Sequence, residues 1–533
     1  MFCQLVYLRR CIPGRIRHAL DELPETLDET YARSLEEIDE QNREYAHRLF
    51  QCVAAASRPF LVSELAEFLA FDFEAGPTPT FLADWRPEDP THAVISMCSS
   101  LLAVVKPDSG SPVVQFAHFT VKEYLTSARL AKTTATISRF HISMTAAHTI
   151  VAQACLCVLL HLDQSITKDS LEEFPLAEYA AQHWVGHARF KDESSEVQDG
   201  MKRLFDPSEG HLSAWVHIYD PEDSHTRIRF ERPVEAKARA TALHYAAFCG
   251  IYDAAALLIV EHSQDVNARG FNDKETPLHV ASRCGHADVA QLLLEHGADG
   301  NARDESKNTP LLRATEYGHV EVARVLLKHG VDVEARRRVF WGWFQGWRPL
   351  ELASSGGHVE ILQVLLEHGA DMKARDDYNC SALHYAQGEE VARFLLKHGA
   401  DASALDSKGR IPLHNASRGG RVGAVRALLE YGGDANARDA KNATPLHLAS
   451  EWGGPDVARL LLQYGSDIHA RDDKGRTPFM TAFANDESKV MDLLLEHGAE
   501  DHRNTEGGDN VERTLVEVVK HGVNVFFSIF EDN

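Results

Sequence analysis

Paired histidines are the first residues here that could do chemistry. His183 and His187, in the run HWVGH, stand four apart, so a helix would turn both imidazoles to one face. Helical zinc enzymes hold their metal with that spacing, but the glutamate they place beside the first histidine is Trp184 in this chain. Two nitrogen ligands without a third make a weak metal site, so solvated or interface histidines are expected. His296, His368 and His497 recur in the tripeptide EHG, too far apart in sequence to share an ion and suited to helix C-termini, where the dipole is negative. No Gly-Lys pair occurs anywhere, which excludes a phosphate-cradling P-loop, and no G-x-S-x-G nucleophile elbow is present. The nine cysteines are scattered without a C-x-x-C pair, a pattern of reduced thiols in a cytoplasmic protein. Neither catalytic residues nor a metal or cofactor are expected.

The bulk of the chain agrees with a binding role. With 533 residues it exceeds one core, and 44% hydrophobic content with 25% charge is ordinary for a globular protein. A formal charge of −24 disfavours nucleic acid and anionic lipid as partners. The opening MFCQLVYLRRCIPGRIRHAL is interrupted by arginine too early for a secretory signal and reads as amphipathic helix. The apolar run 145–162 carries two His, two Thr and a Gln, and reads as a buried helix rather than a membrane span.

Internal repeats then organise the second half. TALHYAA begins at Thr241, TPLHVAS at Thr276, TPLLRAT at Thr309 and RPLELAS at Arg348. SALHYAQ follows at Ser381, IPLHNAS at Ile411, TPLHLAS at Thr444 and TPFMTAF at Thr477, with spacings of 35, 33, 39, 33, 30, 33 and 33. Together with LLLEHGAD (292–299), these runs closely resemble the ankyrin repeat over about half the chain. The physics fits that resemblance. Thr276 can cap a helix, Pro277 suits its first turn, and Gly285 ends it in a left-handed turn. One such helix pair cannot bury its apolar face, so neighbours must stack into a solenoid joined by polar fingers.

One finger is out of register. From the finger alanine to the next helix cap, Ala302 to Thr309 and Ala437 to Thr444 both span seven residues, but Ala335 to Arg348 spans thirteen. The extra six residues fall in RRRVFWGWFQGW (336–347), which holds Phe340, Trp341, Trp343, Phe344 and Trp347. These rings either fold back as a satellite core or form a docking knob, since Trp, Phe and Arg dominate interface hot spots. The same repeat loses its threonine cap to Arg348 and its usual histidine to Glu351, which suggests local weakening. The repeat at Ser381 lacks three residues around its inter-helix turn, where a shortened first helix would bend or loosen the stack. Ligand-facing groove positions, just before the inter-helix glycine, read Phe248, Arg283, Glu316, Tyr317, Arg418, Glu451 and Trp452.

The first 230 residues differ in kind. Residues 23–73 read as three helices, followed by strand-like LLAVV (101–105) and VVQFA (113–117), then a helix over 120–130. LPETLDETYARSLEEI, VQFAHFTVKEYL and FPLAEYAAQHWVGHAR resemble the winged-helix domain and following helices of fungal NACHT-type signalling NTPases, relatives of the NOD-like receptors. The resemblance implies that an NTPase module would precede residue 23, with residues 1–22 its remnant; the missing Gly-Lys departs from that family. It also implies a role for His118. A winged-helix histidine in an H-x-x-x-x-E-(F/Y) setting touches the β-phosphate of ADP in that family, and His118, Glu123 and Tyr124 match it. Without the rest of the nucleotide site, a structural histidine at a strand–helix junction is the expectation. The segment that would enter a DNA groove, FLVSELAEFLAFDFEAG (60–76), is apolar and acidic, so the domain is expected to pack internally.

The expected protein is mainly α: a winged helix over 23–132, a helical bridge and N-terminal cap over 133–231, eight ankyrin repeats over 232–502 and a degenerate cap over 503–533. Its expected function is protein recognition, as a scaffold or recognition arm of a NACHT-type signalling protein. The alternative is a regulatory subunit working in trans with an intact NACHT NTPase.

Overall fold

A computed structural model describes residues 26–76, 78–98, 100–107, 110–163, 165–167, 171–190, 195–220, 240–271, 273–337 and 346–500. Residues expected to form an NTPase remnant (1–22) and a C-terminal cap (503–533) lie outside that set, as do Phe340, Trp341, Trp343 and Phe344. The chain divides into two compact units, residues 1–264 and 265–533.

In the first unit, Thr26 starts helix α1 (Leu27–Glu36) through a reciprocal cap: the Glu29 amide donates to Thr26 Oγ1 at 3.2 Å, and the Thr26 amide to Glu29 Oε2 at 3.4 Å. Helix α2 (Arg43–Ala55), strand β1 (Phe60–Leu61) and helix α3 (Val62–Glu67) follow. After the pair β2 (Phe71–Asp72) and β3 (Thr80–Phe81) comes helix α4 (Pro90–Cys98), and then β4 (Leu102–Val105), β5 (Val113–Phe116) and α5 (Phe119–Leu125). The sheet order is β1-β5-β4, all antiparallel, with Phe60 and Val104 both opposite Val114.

Helix α4 and the β2–β3 pair were not expected from the sequence. Pro77, Pro79, Pro87 and Pro90 make 77–90 read as loop, yet Pro90 opens the helix, where no amide is needed, and Asp89 Oδ1 accepts from the His92 amide at 3.0 Å. Helix α3 is buried. Its Glu64 is held by Arg58 at 2.6 Å and its Glu67 by Arg86, so the segment over 60–76 lies within the unit rather than on a free surface.

The next helices are α6 (Ala135–Ser138), α7 (Met144–Leu159), α8 (Ala177–Ala188), α9 (Ser195–Phe205) and α10 (His211–Ile218). The apolar run at 145–162 is the buried helix α7, packed against α2 and α8. Among the described residues no helix is long and apolar enough to cross a membrane. Trp215 meets Trp184 and Phe205 edge-on at 5.6 and 6.2 Å, and its indole N–H donates to Ala181 O at 2.8 Å. Its other side meets Tyr245 of α11 (Ala242–Cys249) at 6.1 Å, while α9 packs on α12 (Tyr252–Val260). Helices α9 and α10 thus pack against the helices of the first repeat within this unit.

The second unit stacks helix pairs. They are α13 (Pro277–Cys284) with α14 (Ala287–Glu295), α15 (Pro310–Glu316) with α16 (Val320–Lys328), and α17 (Pro349–Gly356) with α18 (Val359–Glu367). A 3-10 turn, Ala382–Tyr385, pairs with α19 (Glu389–Lys397), and α20 (Pro412–Arg418) with α21 (Val422–Glu430). Helix α22 (Pro445–Leu448) runs into one π turn, Ala449–Gly453, before α23 (Pro455–Gln463); α24 (Pro478–Ala484) and α25 (Ser488–Glu496) come last.

Histidine welds these pairs together. The Thr276 amide donates to His279 Nδ1 at 3.2 Å, so the ring carries its proton on Nε2, which donates to Asn308 O of the next finger at 3.0 Å. His384, His414 and His447 repeat the bond to Arg410 O, Ala443 O and Arg476 O at 3.0–3.1 Å. Burial lowers the pKa of all four, that of His279 to about 4. Finger arginines add a second ladder: Arg269 donates to Arg303 O at 2.7 Å, Arg303 to Arg336 O at 2.9 Å and Arg438 to Arg471 O at 2.8 Å.

At Ser381 the missing residues reduce the first helix to its single 3-10 turn. The turn is tied to its neighbours, because Gln387 N donates to Ser354 O at 3.2 Å and Arg421 reaches Ala386 O at 3.4 Å.

Candidate protein-binding face and the base of the insertion

Regular fingers close by two backbone bonds: Asp304 N donates to Asn308 O at 3.0 Å and Lys307 N to Asp304 O at 3.1 Å. At the insertion Arg337 N donates to Trp347 O at 2.7 Å and Gly346 N to Arg337 O at 3.0 Å. Arg337, Gly346 and Trp347 therefore take the places of Asp304, Lys307 and Asn308. Eight residues, 338–345, stand where the regular finger has Glu305 and Ser306, which accounts for the six extra residues. Gly346 suits this place: its φ is +77°, where Lys307 and Asn442 of other fingers hold a similar positive φ, and a Cβ there would lie 2.6 Å from the Asp377 carboxylate.

Trp347 points inward. It is 3% exposed and packs with Leu312 and Leu352, with the Tyr385 ring 4.3 Å away. This placement corrects its grouping with surface docking residues: a ring inside the stack offers no area to a partner. The physical cause sits one repeat earlier. Leu312 occupies the position of His279, so the histidine-to-finger bond is absent there, and the indole fills the space as apolar contact. Leu312 was the available sequence signal.

The repeat keeps the histidine's bond to the cap amide but not the threonine's side-chain cap, because a guanidinium offers no acceptor. Glu351 Oε2 accepts from Arg348 N at 3.0 Å, in the manner of the histidines. The Arg348 guanidinium lies 2.9 Å from Glu334 Oε2 and donates to Arg375 O at 2.8 Å, the kind of bond finger arginines make elsewhere. Local weakening inferred from Arg348 and Glu351 alone overlooked these replacements.

Two of the expected groove residues meet through a chain of charges. Arg283 lies 3.2 Å from Glu275, which lies 3.3 Å from Arg313; Arg313 reaches Glu316 at 3.6 Å, and Glu316 accepts from Arg337 at 2.8 Å. Arg313 also binds Asp304 at 2.7 Å, a carboxylate shut away from solvent. Nearby carboxylates raise the Arg313 pKa against the opposing effect of burial. The chain runs along α13 and α15 to the base of the insertion, and beside it Tyr317 is 51% exposed. Sequence reasoning missed Arg313, although an arginine in the place of Val280 or Leu352 was a visible departure.

The remaining groove residues lie apart from this chain. Phe248 is half-buried in the first unit. Arg418 is half-buried on α20, while Glu451 and Trp452 lie on the π turn, with Trp452 59% exposed. Gly454 and Pro455 end that turn. Gly454 takes φ +77° and ψ 172°, a conformation open to glycine, and Pro455, which needs no amide partner, opens the next helix directly after it.

His118 caps α5: the Thr120 amide donates to its Nδ1 at 3.3 Å, Thr120 Oγ1 lies at 2.7 Å, and Phe119 beside it is 68% exposed. His183 and His187 do not act as a pair. His187 is buried, with Nε2 2.9 Å from Tyr179 Oη and Nδ1 2.9 Å from His148 Nδ1, and burial lowers its pKa to about 3. Among the described residues no group of three or more His, Cys, Asp or Glu could hold a metal.

Comparison with known proteins agrees with this geometry. A family model described as ankyrin repeats (3 copies) matches residues 243–337, 341–406 and 387–472, and one described as ankyrin repeats (many copies) matches 313–366. A third, the winged helix domain of GPI inositol-deacylase, matches 35–137. The azaphilone pigments biosynthesis cluster protein L of Monascus ruber is 31% identical over 258 residues, 46% of this chain. The match spans about half (53%) of that relative's length. The chain carries a winged helix domain of the GPI inositol-deacylase type followed by a helical solenoid of ankyrin repeats, an architecture that suggests a protein-interaction role.

Proposed function

We propose that this chain is a recognition arm or scaffold of a NACHT-type signalling protein, binding protein partners and carrying out no chemistry of its own. The observation that carries this reading is the insertion's base. A regular finger's closing bonds are kept while eight residues, among them Phe340, Trp341, Trp343 and Phe344, are added between them. Trp and Phe dominate interface hot spots, so aromatic residues added without disturbing the finger's closure support a docking role. Tyr317 and the charges of Arg283 and Glu316 extend the proposed face, and Phe248, Arg418, Glu451 and Trp452 are further candidates for contact. The winged helix domain supports the NACHT setting, since domains of this type occur in NACHT-containing proteins. Residues 23–132, 133–231 and 232–502 serve as winged helix, bridge and repeat array in this reading, and the cytoplasm is the compartment proposed.

The test is the triple substitution Trp341→Ser, Trp343→Ser and Phe344→Ser in the full chain. Loss of partner capture with an unchanged melting temperature supports docking. Unchanged capture with a lowered melting temperature assigns the rings to a satellite core and removes the insertion from the recognition face. A second reading, docking in trans onto an intact NACHT NTPase through the winged helix, is favoured by the exposed Phe119 beside His118. Phe119→Asp would then abolish association with such an NTPase and leave other partners bound.

A further inference from the structure

The residue three places after the helix cap does two jobs in much of this stack. In four repeats it is a histidine that accepts from the cap amide through Nδ1 and donates through Nε2 to a carbonyl of the next finger. Each of those carbonyls also takes an amide from its own finger: Asn308 O from Asp304, Arg410 O from Asp406, Ala443 O from Asp439 and Arg476 O from Asp472, at 2.9–3.0 Å. Two lone pairs receive two donors.

Glu351 holds this place in the repeat that begins at Arg348. Its Oε2 does the first job, accepting from Arg348 N at 3.0 Å. Its residue is 0% exposed, and its Oε1 is buried with no hydrogen-bond partner. The carbonyl in register with the histidines' targets is Cys380 O, which takes Asp376 N at 3.0 Å as its own finger's donor. Its other lone pair is the one a histidine fills elsewhere, and an ionised carboxylate has nothing to give it.

We propose that Glu351 is a neutral carboxylic acid in the folded stack, that its proton supplies to Cys380 O the hydrogen bond histidine supplies in the other repeats, and that this repeat is therefore held by a proton.

The surrounding charges favour that state. Arg348 is the only cation nearby on its own helix, and its guanidinium lies 2.9 Å from Glu334 but 3.9 Å from Glu351 Oε1. On the following finger Asp376, bonded to Tyr385, opposes a second negative charge. On the helices packed against α17, Arg313 and Glu316 are occupied with each other and with Asp304 and Arg337, and His384 with Ser381 and Arg410. Burial, partly offset by Arg348, moves the Glu351 carboxyl up to about 7. The sign is then opposite to that of the histidines. A raised carboxyl stabilises fully below its unfolded pKa near 4.5 and loses that contribution as pH rises through about 7.

The test is hydrogen exchange of amides 349–367 in the full chain, at pH 6 and pH 8, corrected for intrinsic rates. From pH 6 to 8 the wild type is expected to lose protection on the order of tenfold more than Glu351→Gln, a neutral isostere that keeps a donor. Glu351→Gln should match or exceed the wild type at pH 8. An identical pH response in both proteins, or lower protection of Glu351→Gln at pH 8, would overturn the proposal. If the glutamine variant does not fold, Glu351→His restores the majority residue, and protection must then rise from pH 6 to 8; a fall would refute the assignment.

Discussion

Acid should undo this stack at its histidines. His279 is 0% exposed, accepts through Nδ1 and donates through Nε2, so a second proton would remove the acceptor for the Thr276 amide and place a charge in the core. Its folded pKa is about 4 against an ordinary value of 6.5, so its contribution is complete above 6.5 and is lost as pH falls toward 4. Between pH 7.5 and 5 the unfolded imidazole takes up almost a full proton and the folded one very little, a loss of about 2 kcal/mol for this residue alone. His384, His414 and His447 shift in the same direction for the same reason, so the losses accumulate along the unit. Urea unfolding of the wild type and of His279→Gln at pH 7.5 and 5, at constant ionic strength, isolates the residue. The glutamine variant should start less stable and then lose about 2 kcal/mol less than the wild type on acidification. Equal losses in the two proteins would refute the neutral-histidine weld.

Two other substitutions probe the frame beneath the insertion. Trp347→Ala removes a ring buried among Leu312, Leu352 and Tyr385 and should cost about 3–5 kcal/mol in chemical unfolding; a loss below 1 kcal/mol would place the ring outside the core. Arg313→Met removes the cation from Asp304, shut away from solvent, and leaves Glu275 with Arg283 alone, and should destabilise the second unit by about 3–5 kcal/mol at neutral pH; a loss below 1 kcal/mol would show that the pair with Asp304 adds little.

The repeats were legible because each turn of their helices is fixed by local chemistry. Thr276, Pro277, His279 and Gly285 announce cap, first turn, inter-repeat bond and stop within ten residues, and a periodic sequence repeats the message. What escaped depends on residues far apart in the chain. The six extra residues could be counted in the sequence, but Trp347 is set by Leu312, thirty-five residues earlier. Glu351 looked like a loss and keeps the histidine's bond to the cap amide, while Arg348 exchanges the threonine's cap for contacts with Glu334 and Arg375. The i, i+4 spacing of His183 and His187 suggested a pair, whereas Tyr179, on the same face two turns earlier, was the better sign that His187 is a buried hydrogen-bonding residue. Helix α4 was hidden among four prolines; it packs on α3 and β4, with Val94 buried.

The packing of Trp347 on Leu312 also bears on how such an array can change over generations. Solenoids lengthen and shorten by duplicating or deleting whole repeats, which succeeds when each unit offers its neighbour the same joint. The segment from Thr309 to His368 breaks that interchangeability, because its first unit carries leucine where the joint needs histidine and its second carries the tryptophan that suits leucine. Copying either unit alone would set an indole against an imidazole, or leave a leucine with no ring to cover it. These two units are therefore expected to be inherited, moved or lost as a couple.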